Sequence, residues 1–188
     1  VELYTWYHFA IKWDNGTGNL VFVIDNEIQD VGSTGVGYGD DNCFCIGKRS
    51  TSGGSLIGKM EEFRIWDSVK TNWELRELFG KKLSGSEEGL YLYYNMNEFQ
   101  GDGTLEDITG SGYDGVWESG NINPFVYSDV LNKCISLDGD SENIKIMDMD
   151  FLNVDDYTIT FWFYPENLAS SSCLFSKGSV GCYLMIHA

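Results

Sequence analysis

The chain has 188 residues, with 12 Lys and Arg against 29 Asp and Glu, a formal net charge of −17. So few cations cannot neutralise a run of phosphates, which argues against a nucleic-acid binder, and the same repulsion disfavours an anionic membrane surface. Hydrophobic residues at 43% allow a sizeable core, while 22 Gly, 15% aromatics and only 2 Pro suit many short strands joined by tight turns.

In chain order, residues 1–13 alternate as a strand, with Trp6, His8, Ala10 and Lys12 on one face and Tyr7, Phe9, Ile11 and Trp13 on the other. Asp14-Asn15-Gly16-Thr17-Gly18 reads as a hairpin turn, because Asn-Gly tolerates positive φ. Leu20–Ile24 returns, Asp25-Asn26 turns again, and Glu27–Val31 adds a short strand. Residues 32–41 are a Gly-rich loop. Cys43–Ile46 is a strand with both cysteines on one face, and Gly58–Trp66 is another strand. Residues 71–79 are the one good helix candidate. Thr71 can cap it, Glu74 completes a capping box, and Gly80 stops it.

Residues 83–88 read as a linker, and Leu90–Met96 as a strand. The segment 101–114 is a Gly- and Asp-rich loop, and residues 118–132 have no strand pattern. Further strands are expected around Ile135–Leu137, Ile144–Met147, Thr158–Tyr164, Leu174–Ser176 and Tyr183–Ile186. Many short strands with a single helix indicate an all-β sandwich. The longest apolar runs are only strand-length, so no membrane insertion is expected.

From Gly89, the run Gly89-Leu90-Tyr91-Leu92-Tyr93-Tyr94, then Asp102-Gly103 and Asp114-Gly115, resembles the opening strands of laminin-G-like (concanavalin A-like) jelly rolls. Ile135-Ser136-Leu137-Asp138-Gly139, Thr158-Ile159-Thr160-Phe161-Trp162 and Leu174-Phe175-Ser176-Lys177-Gly178 are similar to the strands that follow in that family. The closing strands stand at the start of the chain: Trp6-Tyr7-His8-Phe9-Ala10, Leu20–Asp25, and Gly58–Asp67, the last also similar to the end of pentraxins. The resemblance implies an antiparallel jelly-roll β-sandwich with its second half (1–82) preceding its first half (89–188). Two arrangements satisfy this order: a tandem array cut across a domain boundary, or a circularly permuted sandwich. Val1 and Ala188 both interrupt strand-like segments, which predicts one period of a repetitive polypeptide.

Three kinds of site follow. Asp102, Asp107 and Asp114, with Asn97 and the adjacent Glu98, offer hard oxygens beside flexible glycines, and the family resemblance implies a structural Ca²⁺ there. The alternative is a solvated turn region, where Asp and Asn abound anyway. The pentraxin-type Ca²⁺ loop would fall near residues 48–52, which carry no acids. Asp138, Asp140 and Glu142 open like an EF-hand, but Asn143 replaces the required Gly.

Of the five cysteines, Cys173 and Cys182 flank a possible hairpin, and Cys134 could pair with Cys43 or Cys45, leaving one thiol over. Metal binding by Cys43-x-Cys45 is the weaker alternative, since the spacing is tight for zinc. Asn15-Gly16-Thr17 is an N-glycosylation sequon at a hairpin tip. Trp13, Trp73, Trp117 and Tyr113 could stack on sugar rings or belong to the core.

With two His and no nucleophile elbow, no enzyme and no organic cofactor are expected. The expected function is an extracellular structural or cell-adhesion repeat of a filament or array, whose partners are other copies of itself or neighbouring repeats. A carbohydrate-binding module that recognises glycans is the alternative.

Overall fold

Each strand has one side to bury, and period-two alternation decides which residues go inward. The computed structural model describes residues 1–32, 43–48, 54–97, 100, 102–118, 124–128, 130, 132–140, 142–147, 156–167, 172–177 and 183–186. The first part of the chain supplies β1 (Tyr7–Asp14), β2 (Asn19–Ile24), β3 (Glu27–Gly32), β4 (Phe44–Ile46), β5 (Ile57–Trp66) and the helix α1 (Asn72–Leu78). The second supplies β6 (Leu90–Tyr94), β7 (Thr104–Leu105), β8 (Gly115–Glu118), β9 (Phe125–Ser128), β10 (Asn132–Asp138), β11 (Asn143–Ile146), β12 (Tyr157–Pro165), β13 (Ser172–Lys177) and β14 (Tyr183–Ile186).

These strands form an antiparallel β-sandwich. The larger sheet has eight strands in the order β3-β2-β1-β12-β5-β10-β9, with β6 also paired to β5. The smaller has six, ordered β14-β13-β4-β11-β8-β7. Both sheets contain strands from before and after the helix. In the larger, β12 lies between β1 and β5, with Phe9 opposite Phe161 and Ile65 opposite Ile159. In the smaller, β4 lies between β11 and β13.

The core is built from the inward residues of both sheets. Phe9, Ile11 and Trp13 of β1 meet Ile159, Phe161 and Phe163 of β12, and Phe44 and Ile46 of β4 close over them from the opposite sheet. One of the two faces that alternation sets in β1 thus lies in the core, and the other, with His8 and Ala10, is also buried.

β5 breaks the rule in a useful way. Its inward residues are Met60, Phe63 and Ile65, so one step is three residues long. Glu62 takes a left-handed backbone conformation (φ 55°), and the register with β12 shifts between Thr160 and Trp162. This bulge inserts one residue and returns Phe63 to the core. It also divides β5 along one edge: Ile57–Met60 pair with β10, and Phe63–Trp66 pair with β6.

The helix forms as its cap chemistry dictates. The Glu74 amide donates to the Thr71 hydroxyl, and the Thr71 amide donates to the Glu74 carboxylate. Gly80 follows with φ +67°, the left-handed exit that glycine permits at low cost. Leu75 packs on Ala10 and Val23, so α1 covers the outer face of the larger sheet. Leu78 and Leu83 pack on Trp66, Leu90 and Tyr93. The 83–88 segment, expected as a linker, is thus strapped against the sheet, with Glu87 accepting from the amides of Ser84 and Gly85. Residues 118–132 are not all irregular, because Phe125–Ser128 forms the edge strand β9. The expected loop at 32–41 lies almost wholly outside the described residues.

Phe161 has no exposed surface and stacks on Phe9 and Phe63, at ring distances of 5.5 and 5.8 Å. It also meets Phe175 of the opposite sheet edge-on at 6.4 Å. Replacing it with Ala should cost about 3–5 kcal/mol, because one void would loosen strands of both sheets. Urea denaturation of Phe161→Ala against the parent chain measures this, and a loss below about 1 kcal/mol would contradict this packing.

Candidate functional site

The acidic loop runs from the end of β6 to the start of β8. Asp107 is buried, and its carboxylate accepts from the Tyr93 amide (3.2 Å), the Thr109 amide (3.1 Å) and the Thr109 hydroxyl (2.8 Å). Asp114 is exposed and accepts from the Asp107 amide at 2.8 Å. The two acids therefore come together. The buried Tyr94 phenol donates to the Tyr113 carbonyl beside them. Burial, followed by the charges of Asp107 and Asp114, pushes that phenol well above its ordinary pKa.

Asp102 sits apart on an exposed turn and accepts from the Thr104 amide at 3.0 Å. The Asn97 amide donates to the Asn95 side chain at 3.0 Å. Glu98 lies outside the described residues. Among the described residues, no three His, Cys, Asp or Glu side chains converge as metal ligands would. Ca²⁺ takes six to eight oxygens, whereas here the acids mainly satisfy turn amides. Of the four expected ligands, Asp107 and Asp114 are joined by a hydrogen bond, and Asp102 sits on a separate turn.

No disulfide occurs among the described residues, which include Cys43, Cys45, Cys134 and Cys173. Cys134 lies on β10 of the larger sheet, between the core residue Ile135 and the strand's edge, and its sulfur faces the Val126 carbonyl. Cys45 lies on β4 of the smaller sheet, between the core residues Phe44 and Ile46. Alternation turns both thiols away from the core, on opposite outer faces of a sandwich whose sheets are about 10 Å apart. A disulfide needs Cα atoms within about 7 Å, so Cys134 bridges neither Cys43 nor Cys45. β13 and β14 do form a hairpin, but its register sets Met185 opposite Cys173. Cys182 lies outside the described residues.

Asn15 is exposed at the β1–β2 turn, as the sequon reading expects, with its amide donating to Asp156 at 2.8 Å. Of the aromatics considered for sugar stacking, Trp13 and Trp117 belong to the core, and Tyr113 is hydrogen-bonded to Tyr91. Trp73 alone of the four is well exposed, at 70%.

A buried polar group on the outer face of the larger sheet was not legible from motifs. Arg64 and Glu62 are ion-paired at 2.5 Å, at 1% and 2% side-chain exposure. The Tyr93 hydroxyl donates to the same carboxylate at 2.6 Å. Arg64 also donates to the carbonyls of Leu78 and Lys81, which fixes the end of α1 and the strap beyond it. The only signal for this is that two charged residues two apart share a strand face. His8 lies nearby, edge-on to Trp162 and Phe79. Burial, reinforced by the Arg64 charge, lowers its pKa to about 3. It is thus a neutral packing residue.

No family model matches the chain, and neither a curated protein nor a solved structure does. Its class therefore rests on the fold itself: an all-β sandwich with a single short helix.

The His8 shift has a signed consequence. Its folded pKa lies below its unfolded value near 6.5. Its contribution to stability is therefore complete above about pH 6.5 and is lost as pH falls towards 3, at up to about 1.4 kcal/mol per pH unit. Between pH 7 and 4, the parent chain should lose about 3 kcal/mol more than His8→Phe. Urea midpoints across that range test this, and parallel pH curves for the two proteins would contradict it.

Proposed function

We propose that this chain is an extracellular structural or adhesive module of the laminin-G-like kind, a jelly roll in permuted order that works as a unit of a tandem array or filament. The observation that supports this reading is the interleaving of the two halves. β1, β2, β3 and β5 share the larger sheet with β6, β9, β10 and β12, and β4 shares the smaller with β7, β8, β11, β13 and β14. Half a sandwich would leave an apolar sheet face and open strand edges in water. The surface that joins the halves of one chain is the same one that would join the half of a neighbour, so exchange between units is a low-cost route to assembly. The exposed sequon at Asn15 fits passage through a secretory pathway. No catalytic role is part of this reading.

Self-association should increase with concentration, giving ordered oligomers in analytical ultracentrifugation and in electron micrographs. The competing module would bind glycans through an exposed aromatic such as Trp73. A chain that stays monomeric at every concentration and binds a glycan array favours that lectin-like alternative and removes the array reading.

A structural Ca²⁺ held in part by Asp107 and Asp114 belongs to the same proposal. Millimolar Ca²⁺ should raise the melting temperature of the parent chain and leave Asp114→Asn unmoved. An unchanged melting temperature on chelation and on re-addition would remove the ion from the proposal.

A further inference from the structure

Cys43 and Cys45 stand side by side on the outer face of the smaller sheet. Phe44 and Ile46 point into the core, which turns the alternate positions outward together. Their sulfurs are 3.4 Å apart. Cys45 is 5% exposed and Cys43 is half-buried, so reagents from solution reach Cys43 first. Cys45 faces Lys145 of β11 on one side and Ser176 of β13 on the other. Lys145 lies 3.6 Å from Glu118, which first, and Cys43 after it, raises its pKa.

We propose that Cys43 and Cys45 form a redox-active dithiol that closes to an intrachain disulfide by exchange with a low-molecular-weight disulfide such as oxidised glutathione. The Cys43 thiolate attacks one sulfur of that disulfide, forming a mixed disulfide and releasing one thiol. Cys45 then loses its proton and attacks the Cys43 sulfur, which releases the second thiol. Two protein thiols and one small disulfide thus become one protein disulfide and two small thiols. The order of attack follows from exposure, and the Cys43 hydrogen bond, followed by burial, raises the Cys45 thiol, so it stays protonated while Cys43 attacks.

The backbone allows the closure. Residues two apart on a strand are about 6.6 Å apart, near the upper limit for a disulfide. Position 43 lies just outside the β4 ladder, so its backbone can shift without breaking a strand pair. A bridge closed near that limit is readily reopened, which suits a reversible site rather than a structural staple.

The test equilibrates the native full chain in graded ratios of oxidised to reduced glutathione. It is then quenched in acid, alkylated under denaturing conditions and mapped by mass spectrometry. Cys43 and Cys45 should lose alkylation together, with the mass of two hydrogens gone from the peptide that carries both, while Cys134 remains alkylated. Excess reduced glutathione should restore both. Peptides carrying Cys173 and Cys182 are read separately. In Cys45→Ser, Cys43 should be trapped as a mixed disulfide with glutathione, whereas in Cys43→Ser, Cys45 should stay alkylated. Full alkylation of Cys43 and Cys45 in the parent chain at every ratio would overturn the proposal, whatever the variants do.

Discussion

The insertion of β12 between β1 and β5 organises everything else. β12 carries core residues at alternate positions from Tyr157 to Phe163. It satisfies the backbone of β1 along one edge and that of β5 along the other. Without it, the larger sheet would fall into two pieces, each with an apolar face and an open edge. The smaller sheet depends on the same placement, since Phe44 and Phe175 pack on Phe63, which β12 flanks through Phe161. The bulge at Glu62 is the local adjustment that lets β5 meet β12, β10 and β6 while keeping Phe63 inside.

The outer face of the larger sheet shows a second constraint. A helix must cover it, yet the face carries Arg64 and Glu62. Burying either charge alone would cost several kcal/mol. Pairing them, adding the Tyr93 hydroxyl and directing Arg64 to the carbonyls of Leu78 and Lys81 gives both charges partners. The last helix carbonyl, at Leu78, thus serves as one acceptor for a buried guanidinium. His8 in the same layer stays neutral because burial, reinforced by the Arg64 charge, disfavours its protonated form.

Much of the fold was legible because its signals are short-range. The two faces of β1 follow from alternation, and α1 follows from four residues of cap chemistry. The Asp25–Asn26 turn follows from two residues that tolerate positive φ. What was not legible required knowing which strand lies in which sheet. Cys134 and Cys45 each point outward by the same alternation, but only the topology places them on opposite outsides. The β5 bulge was hidden because two consecutive glutamates look like surface. The acidic loop shows a related point: Asp107 and Asp114 offer carboxylate oxygens, and the amides of Thr109 and Asp107 donate to them. A sequence shows the donors of a site without showing what else competes for them.

The long reach between partner strands also sets the order of events during synthesis. β1 and β5 leave the ribosome well before β12, whose pairing partner Phe161 for Phe9 lies 152 residues further along (161 − 9). At typical elongation rates of about 5–20 residues per second, the first part of the chain waits seconds with its strand edges open. Pairings this distant in sequence also close slowly, because the loop entropy is lost before the contacts form. The nascent chain therefore passes through an interval in which β1 is paired to β2 on one edge while the edge that β12 takes stays open.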